Sequence, residues 1–171
     1  MNAYVALLRA VNVGGTGKLP MTELKSMCEA AGFRLVRTYI SSGNVLFQSN
    51  KIEAQVKATL EAKLAVYAGK PVGVLVRTAA EMAVVLAHNP FQKMPGNRTV
   101  ATFLDHAPAK DALASVSGQS SEQLRLGARE IYAYFPDGMG SSKLKIPAAK
   151  NGTARNMNTI AKLVEMAANL Q

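Results

Sequence analysis

Tryptophan is absent from the 171-residue chain, cysteine occurs once, and only 11 acidic residues face 20 lysines and arginines. Each scarcity excludes something. A lone cysteine, Cys28, cannot close an internal disulfide. Its helical spacing with Leu24, Met27 and Ala31, with no basic neighbour expected to lower its pKa, marks a buried structural thiol rather than a nucleophile. The two histidines, His88 and His106, stand near the ends of different elements without a second ligand at metal spacing, so no metal site and no cofactor are expected. No apolar run reaches the roughly 18 residues that span a bilayer. The opening MNAYVALLRAVNVGG has neither a basic leader nor a small-residue cleavage site, which makes the cytoplasm the expected compartment and gives no membrane partner.

What is present is apolar and basic. Hydrophobic residues make up 49% of the chain, enough to bury a core in one ordinary domain or two small ones. The formal net charge of +9 favours anionic partners and is silent about fold. No acid precedes Glu23, none lies between Glu29 and Glu53, and none between Asp137 and Glu165. Those windows hold Arg9 and Lys18, then Arg34, Arg37 and Lys51, then Lys143, Lys145, Lys150, Arg155 and Lys162. A solvated basic face with no dedicated ligand is the plain alternative.

Hydrophobic patterning orders the elements. Residues 3–11, AYVALLRAV, are apolar almost throughout, as in a central strand. Pro20 opens a helix with Leu24, Met27, Cys28 and Ala31 as its buried stripe, and Gly32 stops it. RLVRTYI (34–40) and NVLFQS (44–49) read as a hairpin across Ser41-Ser42-Gly43-Asn44. Asn50 and Glu53 are spaced as a capping box for a helix carrying Ile52, Val56, Leu60, Leu64 and Tyr67 on one face. Gly69 and Pro71 end it before the strand PVGVLVRT. This order of strand, helix, strand, strand, helix, strand is the split βαβ arrangement called ferredoxin-like. Thr78 with Glu81 is a second capping box, opening a helix that Asn89-Pro90 closes. A partial second cycle follows: a strand over 99–105, a helix from Pro108 to Val116, a hairpin of QLRLG and EIYAYFP, and a last helix from about Ala154 to Ala168. The expected fold is α+β, a ferredoxin-like α/β plait of two closely packed units, residues 1–77 and 78–171.

RAVNVGGTGKLPM (9–21) has the look of a phosphate loop. A Walker loop needs Gly, four residues, then Gly-Lys-Ser/Thr. Here Asn12 stands where the first glycine belongs and Leu19 follows Lys18, and the dinucleotide pattern GxGxxG fails as well. A glycine-rich strand-to-helix turn with one lysine can still hold an anion, or it is only a turn that needs positive φ. The first two strands of a split βαβ unit are parallel, so Gly14 to Lys18 and Ser41 to Asn44 leave the sheet on one edge. Asn12, Gly14, Gly15, Lys18, Ser42 and Asn44 are therefore candidates for one polar pocket, against the reading that SSGN only makes the hairpin.

The stretch NGTARNMNT (151–159) reads as a helix start capped by Thr153. Arg155 would then oppose the helix dipole in the first turn, which a bound anion or a neighbouring acid would explain. Lys143, Lys145, Asn156 and Asn158 complete the candidate anion-binding set. No catalytic residue is assigned. Asp137, in PDGMGSSK, is the best-placed general acid or base, and an Asp-Gly turn is the competing reading.

Together YISSGNVLF, LRAVNVGGTGKLPM, VRTAAEMAVVLAHNPF, YFPDGMGSSKL and GTARNMNTIAKL resemble the bacterial family catalogued as domain of unknown function sixteen ninety-seven, from about residue 3 to about residue 168. The resemblance implies two ferredoxin-like units in tandem and brings no activity, cofactor or catalytic residue with it. Met157 departs from the family pattern, standing where tryptophan is expected in the GTARN motif.

The leading functional expectation is a binding module for a phosphate-bearing anion, either nucleic acid or a nucleotide-like ligand. RNA-binding plaits present aromatics on their central strands, and AYVALLRAV with PVGVLVRT offers little of that. Tyr39, Phe47, Tyr132 and Tyr134 are available, with strand alternation burying about half of them. One alternative is an enzyme acting on a small phosphorylated or carboxylated metabolite held by Lys18, Lys143 and Arg155. Another is a protein-interaction module, which would show an exposed apolar patch.

Overall fold

The apolar run at the start of the chain becomes a strand paired on both sides and buried on both faces. The computed structural model describes residues 1–11 and 18–170. β1 (Asn2–Leu8) stops short of residue 11, where Ala10 turns to a φ of 49°. It lies antiparallel to β3 (Asn44–Ser49) and to β4 (Val74–Thr78), while β2 (Arg34–Tyr39) is antiparallel to β3. The sheet order is β2-β3-β1-β4, and β1 and β2 run parallel. Tyr4, Ala6, Leu8, Val45, Phe47 and Val76 share one face, on which α1 (Met21–Ala30) and α2 (Glu53–Ala68) place Leu24, Cys28, Val56, Leu60 and Leu64. Full burial of each such Leu or Val contributes roughly 1.5–3 kcal/mol. Val5, Leu7, Leu46 and Leu75 alternate to the other face and are equally buried. Gln48 shares that parity, and its Nε2 donates at 3.4 Å to the carbonyl of Leu170, which follows α4 (Met157–Ala168).

A second sheet repeats the order. β5 (Thr99–Phe103) is antiparallel to β7 (Glu130–Tyr134) and to β8 (Thr153–Asn156), and β6 (Gln123–Leu126) edges β7, giving β6-β7-β5-β8. The helices are not repeated. Where the first sheet has α1 and α2, the second has short 3₁₀ turns at Ala112–Ser115 and Pro147–Ala149. The helix expected from Pro108 to Val116 is thereby corrected to a single turn. Its stripe of Ala112, Leu113 and Val116 is too short to offset the cost of helix nucleation. Leu113 and Val116, with Phe135, Leu144 and Ile146, cover Val100, Leu124 and Ala133 instead.

α1 opens after Pro20 without a side-chain cap, and the other three helix starts carry side-chain acceptors. α3 (Ala79–Ala87) opens with the expected reciprocal box: Glu81 N–H donates to Thr78 Oγ1 at 3.1 Å, and Thr78 N–H to Glu81 Oε1 at 2.8 Å. The box expected of Asn50 and Glu53 does not form. α2 begins after Ile52, whose N–H donates to Gln55 Oε1 at 3.3 Å. The last helix begins at Met157 rather than Ala154, because residues 153–156 pair with β5. Its cap is Asn156, not Thr153: Asn156 Oδ1 accepts from Thr159 N–H at 2.9 Å.

By contact the chain divides into Met1–Ala83 with Lys162–Gln171, and Val84–Ala161. α3 therefore starts in the first unit and ends in the second, and α4 does the reverse. Among the described residues no helix is long and apolar enough to cross a membrane.

Candidate functional site

In the first unit the expected edge is formed by the end of β1 and the turn that follows β2. Leu8 N–H donates to Gly43 O at 2.9 Å. Gly43 has a φ of +91°, and a Cβ on it would lie 2.6 Å from Val11 Cγ2 and 2.9 Å from Leu8 Cβ, so only glycine fits. Asn44 is completely buried, and its Nδ2 donates to Tyr39 O at 2.9 Å and to Ser42 Oγ at 3.0 Å. The structure thus brings Ser42 and Asn44 together and gives the amide a structural task in closing the turn. Lys18 is exposed, while Asn12, Gly14 and Gly15 lie outside the described residues.

In the second unit, Arg155 is in β8 and not in the first turn of a helix, which corrects the dipole argument drawn from its position. It is 7% exposed, and its Nη1 donates to Thr153 Oγ1 at 2.7 Å and to Ala154 O at 3.0 Å. Burial pushes its pKa down to about 10, leaving it cationic at neutral pH. Asn156 caps α4, and Asn158 is exposed in the first turn. Met157 is buried, so the residue that departs from the family pattern fills core.

Lys143 and Lys145 are exposed on the segment that bridges to Ser117. Lys143 lines a polar cavity of about 190 Å³ with Glu122 and Asp137. The Ser142 hydroxyl, and then the Ser120 N–H at 2.6 Å, hold the Glu122 carboxyl below the usual carboxylate range. Asp137 accepts from Ser121 Oγ at 2.6 Å. Two carboxylates against one lysine make this cavity a poor host for an anion.

Cys28 is fully buried, and burial, with the nearby Glu29 charge second, pushes its thiol up to about 12, as a structural cysteine requires. Between α1 and α2 an apolar groove of about 560 Å³ is lined by Met27, Ala62, Val66 and Tyr67, with Glu23 and Lys63 as its opposed charges. With no net charge, it too offers an anion nothing.

A site of different character lies between the end of α3 and the β6–β7 hairpin. There a cleft of about 610 Å³ is lined by Val84, Val85, His88 and Pro90 on one side and by Arg125, Leu126, Gly127, Ala128, Glu130 and Tyr132 on the other. Arg125 is exposed on the edge strand. Its guanidinium stands 5.8 Å over the ring of Phe91, and Nη1 donates to Leu124 O at 2.7 Å. One hydrogen bond and one ring contact thus position a cation that has five N–H donors to give.

Glu130 is 4% exposed, and its Oε1 accepts from Arg129 N–H at 3.2 Å. The Tyr132 hydroxyl donates to Val85 O at 2.8 Å, fastening β7 to α3. Burial first, and the Glu130 charge second, push this phenol up to about 12, so it remains a neutral donor. Sequence reasoning passed over Arg125, because an arginine alternating with leucines in QLRLG reads as the wet face of an ordinary edge strand. Its cleft partners come from α3, and only the tertiary fold brings the two together.

Known proteins agree with this architecture. A solved structure of a conserved bacterial protein from Streptococcus pneumoniae is similar to the chain, with a TM-score of 0.78 and 25% identity over 97% of this chain and 98% of that one. No curated protein matches. Residues 1–132 match the family described as "Protein of unknown function (DUF1697)", and the chain belongs to that family.

Proposed function

We propose that the protein is a cytoplasmic binding module, built on two ferredoxin-like plaits, which takes a small phosphate-bearing ligand of nucleotide size in the cleft of the second unit. The observation that carries this reading is Arg125, an exposed guanidinium fixed by Phe91 and by Leu124 O at the wall of a cleft of about 610 Å³. Ligand cavities commonly run from about 300 to 1,000 Å³, apolar for the most part with a few placed polar groups. Val84, Val85 and Leu126 supply the apolar walls for a flat ring. Arg125 supplies the fork for a phosphate, and Glu130 an acceptor for ring or exocyclic N–H groups. Binding rather than catalysis is what this arrangement supports.

The test is calorimetric titration with guanosine 5′-monophosphate at low salt, beside Arg125→Ala. The reading expects saturable binding that weakens about tenfold or more in the variant, which removes a charge-assisted contact. The competing target, nucleic acid, is tested by anisotropy with a short single-stranded RNA at several salt concentrations. An affinity falling with log salt at about 0.7 per phosphate contact, and indifferent to Arg125→Ala, would transfer the function to the exposed lysines of the second unit, Lys143 and Lys145.

A further inference from the structure

We infer a second phosphate site in the first unit, at the place that corresponds to the cleft and centred on Arg37. It rests on the reading of Arg125 as the cleft's anion-binding group. Across the first sheet, register aligns Arg37, Leu46, Val5 and Arg77 in one row. Across the second it aligns Arg125, Tyr132, Ala101 and Arg155 in the same strand order. Side chains in register on paired strands share a face. In both sheets that face is opposite the one carrying Phe47 and Val76 in the first core, or Val100 and Ala133 in the second. Arg37 therefore holds in β2 the place that Arg125 holds in β6.

Local geometry repeats with the row. Arg37 Nη1 donates to the preceding carbonyl, Val36 O, at 3.1 Å, as Arg125 Nη1 does to Leu124 O at 2.7 Å, and both side chains are exposed. Each unit also contains the distal part of a helix, residues 84–87 of α3 in the second and 162–168 of α4 in the first.

Two residues along the strand the units differ, and the difference favours an anion in the first. Glu130 pairs with Phe103 in the second sheet, and Asn44 pairs with Leu7 at the matching position in the first. A neutral amide thus stands where the cleft has a carboxylate. The hairpin turn is also one residue longer, running from Ile40 to Gly43 where the second unit has Gly127, Ala128 and Arg129, and it adds the hydroxyls of Ser41 and Ser42. A guanidinium on the strand that enters a hydroxyl-bearing turn, with no acid in the row, suits a phosphate group, free or carried on a nucleotide.

The experiment is an NMR titration of the ¹⁵N-labelled full chain with inorganic phosphate and, separately, with guanosine 5′-monophosphate, following the arginine Nε–H signals and the backbone amides of Gly43 and Gly127. The expected result is two saturable sets, one with Arg37 and Gly43 and one with Arg125 and Gly127. Arg37→Gln should weaken the first set about tenfold or more and leave the midpoint of the second unchanged, while Arg37→Lys, which keeps the charge but loses the fork, should weaken it less. Saturation of the first set by inorganic phosphate identifies a phosphate subsite, and saturation by the nucleotide alone a nucleotide site. If only the Arg125 set moves, or if the first set is unchanged in both Arg37 variants, this site is overturned and the cleft reading stands. If only the Arg37 set moves, the cleft reading fails. If neither moves, both fall.

Discussion

Arg77 and Arg155 occupy the same position in their respective sheets: each pairs with the first strand of its sheet, at Val5 and at Ala101, and each immediately precedes the residue that caps the next helix. Both are buried, and each donates Nη1 to the carbonyl before it at 3.0 Å. A desolvated cation is costly, and Arg155 shows the cost in its lowered pKa. Replacing Arg155 with Ala removes its packed stem and leaves Thr153 Oγ1 without a donor, so the expected loss in urea unfolding is about 2–4 kcal/mol. Arg155→Met keeps much of the volume and removes the desolvated charge, and should lose less than half as much. Equal losses would mean that the guanidinium's hydrogen bonds, not its stem, seat the strand.

Gly43 gives the second prediction. Its positive φ costs a side chain roughly 1–2 kcal/mol, and a methyl group would press on Leu8 and Val11, an overpacking worth about 1–3 kcal/mol. Gly43→Ala is therefore expected to destabilise by about 2–4 kcal/mol, again by urea unfolding. Gly138 also has a positive φ, of +82°, but nothing lies within 4 Å of its Cβ position. Gly138→Ala should show only the backbone part, and this pair separates strain from contact.

The same contrast explains how much of the molecule was legible from its residues. The first unit was readable because its signals are local: alternating strands, a helical stripe from Val56 to Leu64, and the Thr78 and Glu81 box all name their own structure. In the second unit long-range pairing overrides local pattern. Residues 153–156 are followed at once by a strong helical stripe, and only pairing with β5 makes them a strand. The weak stripe of Ala112, Leu113 and Val116 predicts a helix, and too little burial supports more than a 3₁₀ turn. The duplication shows in the residues only as a partial second cycle of elements, because it is one of strand order and register and conserves neither helices nor apolar identities: Val5 answers to Ala101 and Leu46 to Tyr132. The cleft was invisible for a related reason, since Arg125 and His88 come from separate elements.

The corrected start of α4 yields a third prediction. Asn156 Oδ1 satisfies the N–H of Thr159, so Asn156→Ala should cost about 1 kcal/mol, whereas Asn156→Asp keeps the acceptor and places a negative charge at the helix N-terminus. For a chain of this size the first change should lower Tm by about 2–4 °C in a thermal scan and the second by much less. An Asn156→Ala protein with unchanged Tm would return the cap to another residue.

Tyr132 supplies the pH test, and its sign follows from the form that burial favours. Its phenol is pushed from 10.0 up to about 12 in the folded protein, so above pH 10 the unfolded chain loses a proton that the folded one keeps. The stabilisation is full below pH 10 and is lost as pH rises toward 12. Cys28, pushed from 9.0 up to about 12, acts in the same sense from a lower onset. Arg155 opposes both: with its pKa lowered from 12.5 to about 10, the unfolded chain holds the extra proton across that interval, and its contribution to stability rises with pH. Wild-type curves alone would mix these slopes, so the comparison is with Tyr132→Phe. At neutral pH the variant should be less stable by about 1 kcal/mol, for the lost bond to Val85 O. That deficit should hold up to about pH 10 and then shrink, by at most about 1.4 kcal/mol per pH unit, as the wild type alone loses stability to tyrosinate formation. A deficit that stays constant to pH 11 in urea unfolding would place the Tyr132 hydroxyl in contact with water, and would remove the fastening between β7 and α3 on which the shape of the cleft depends.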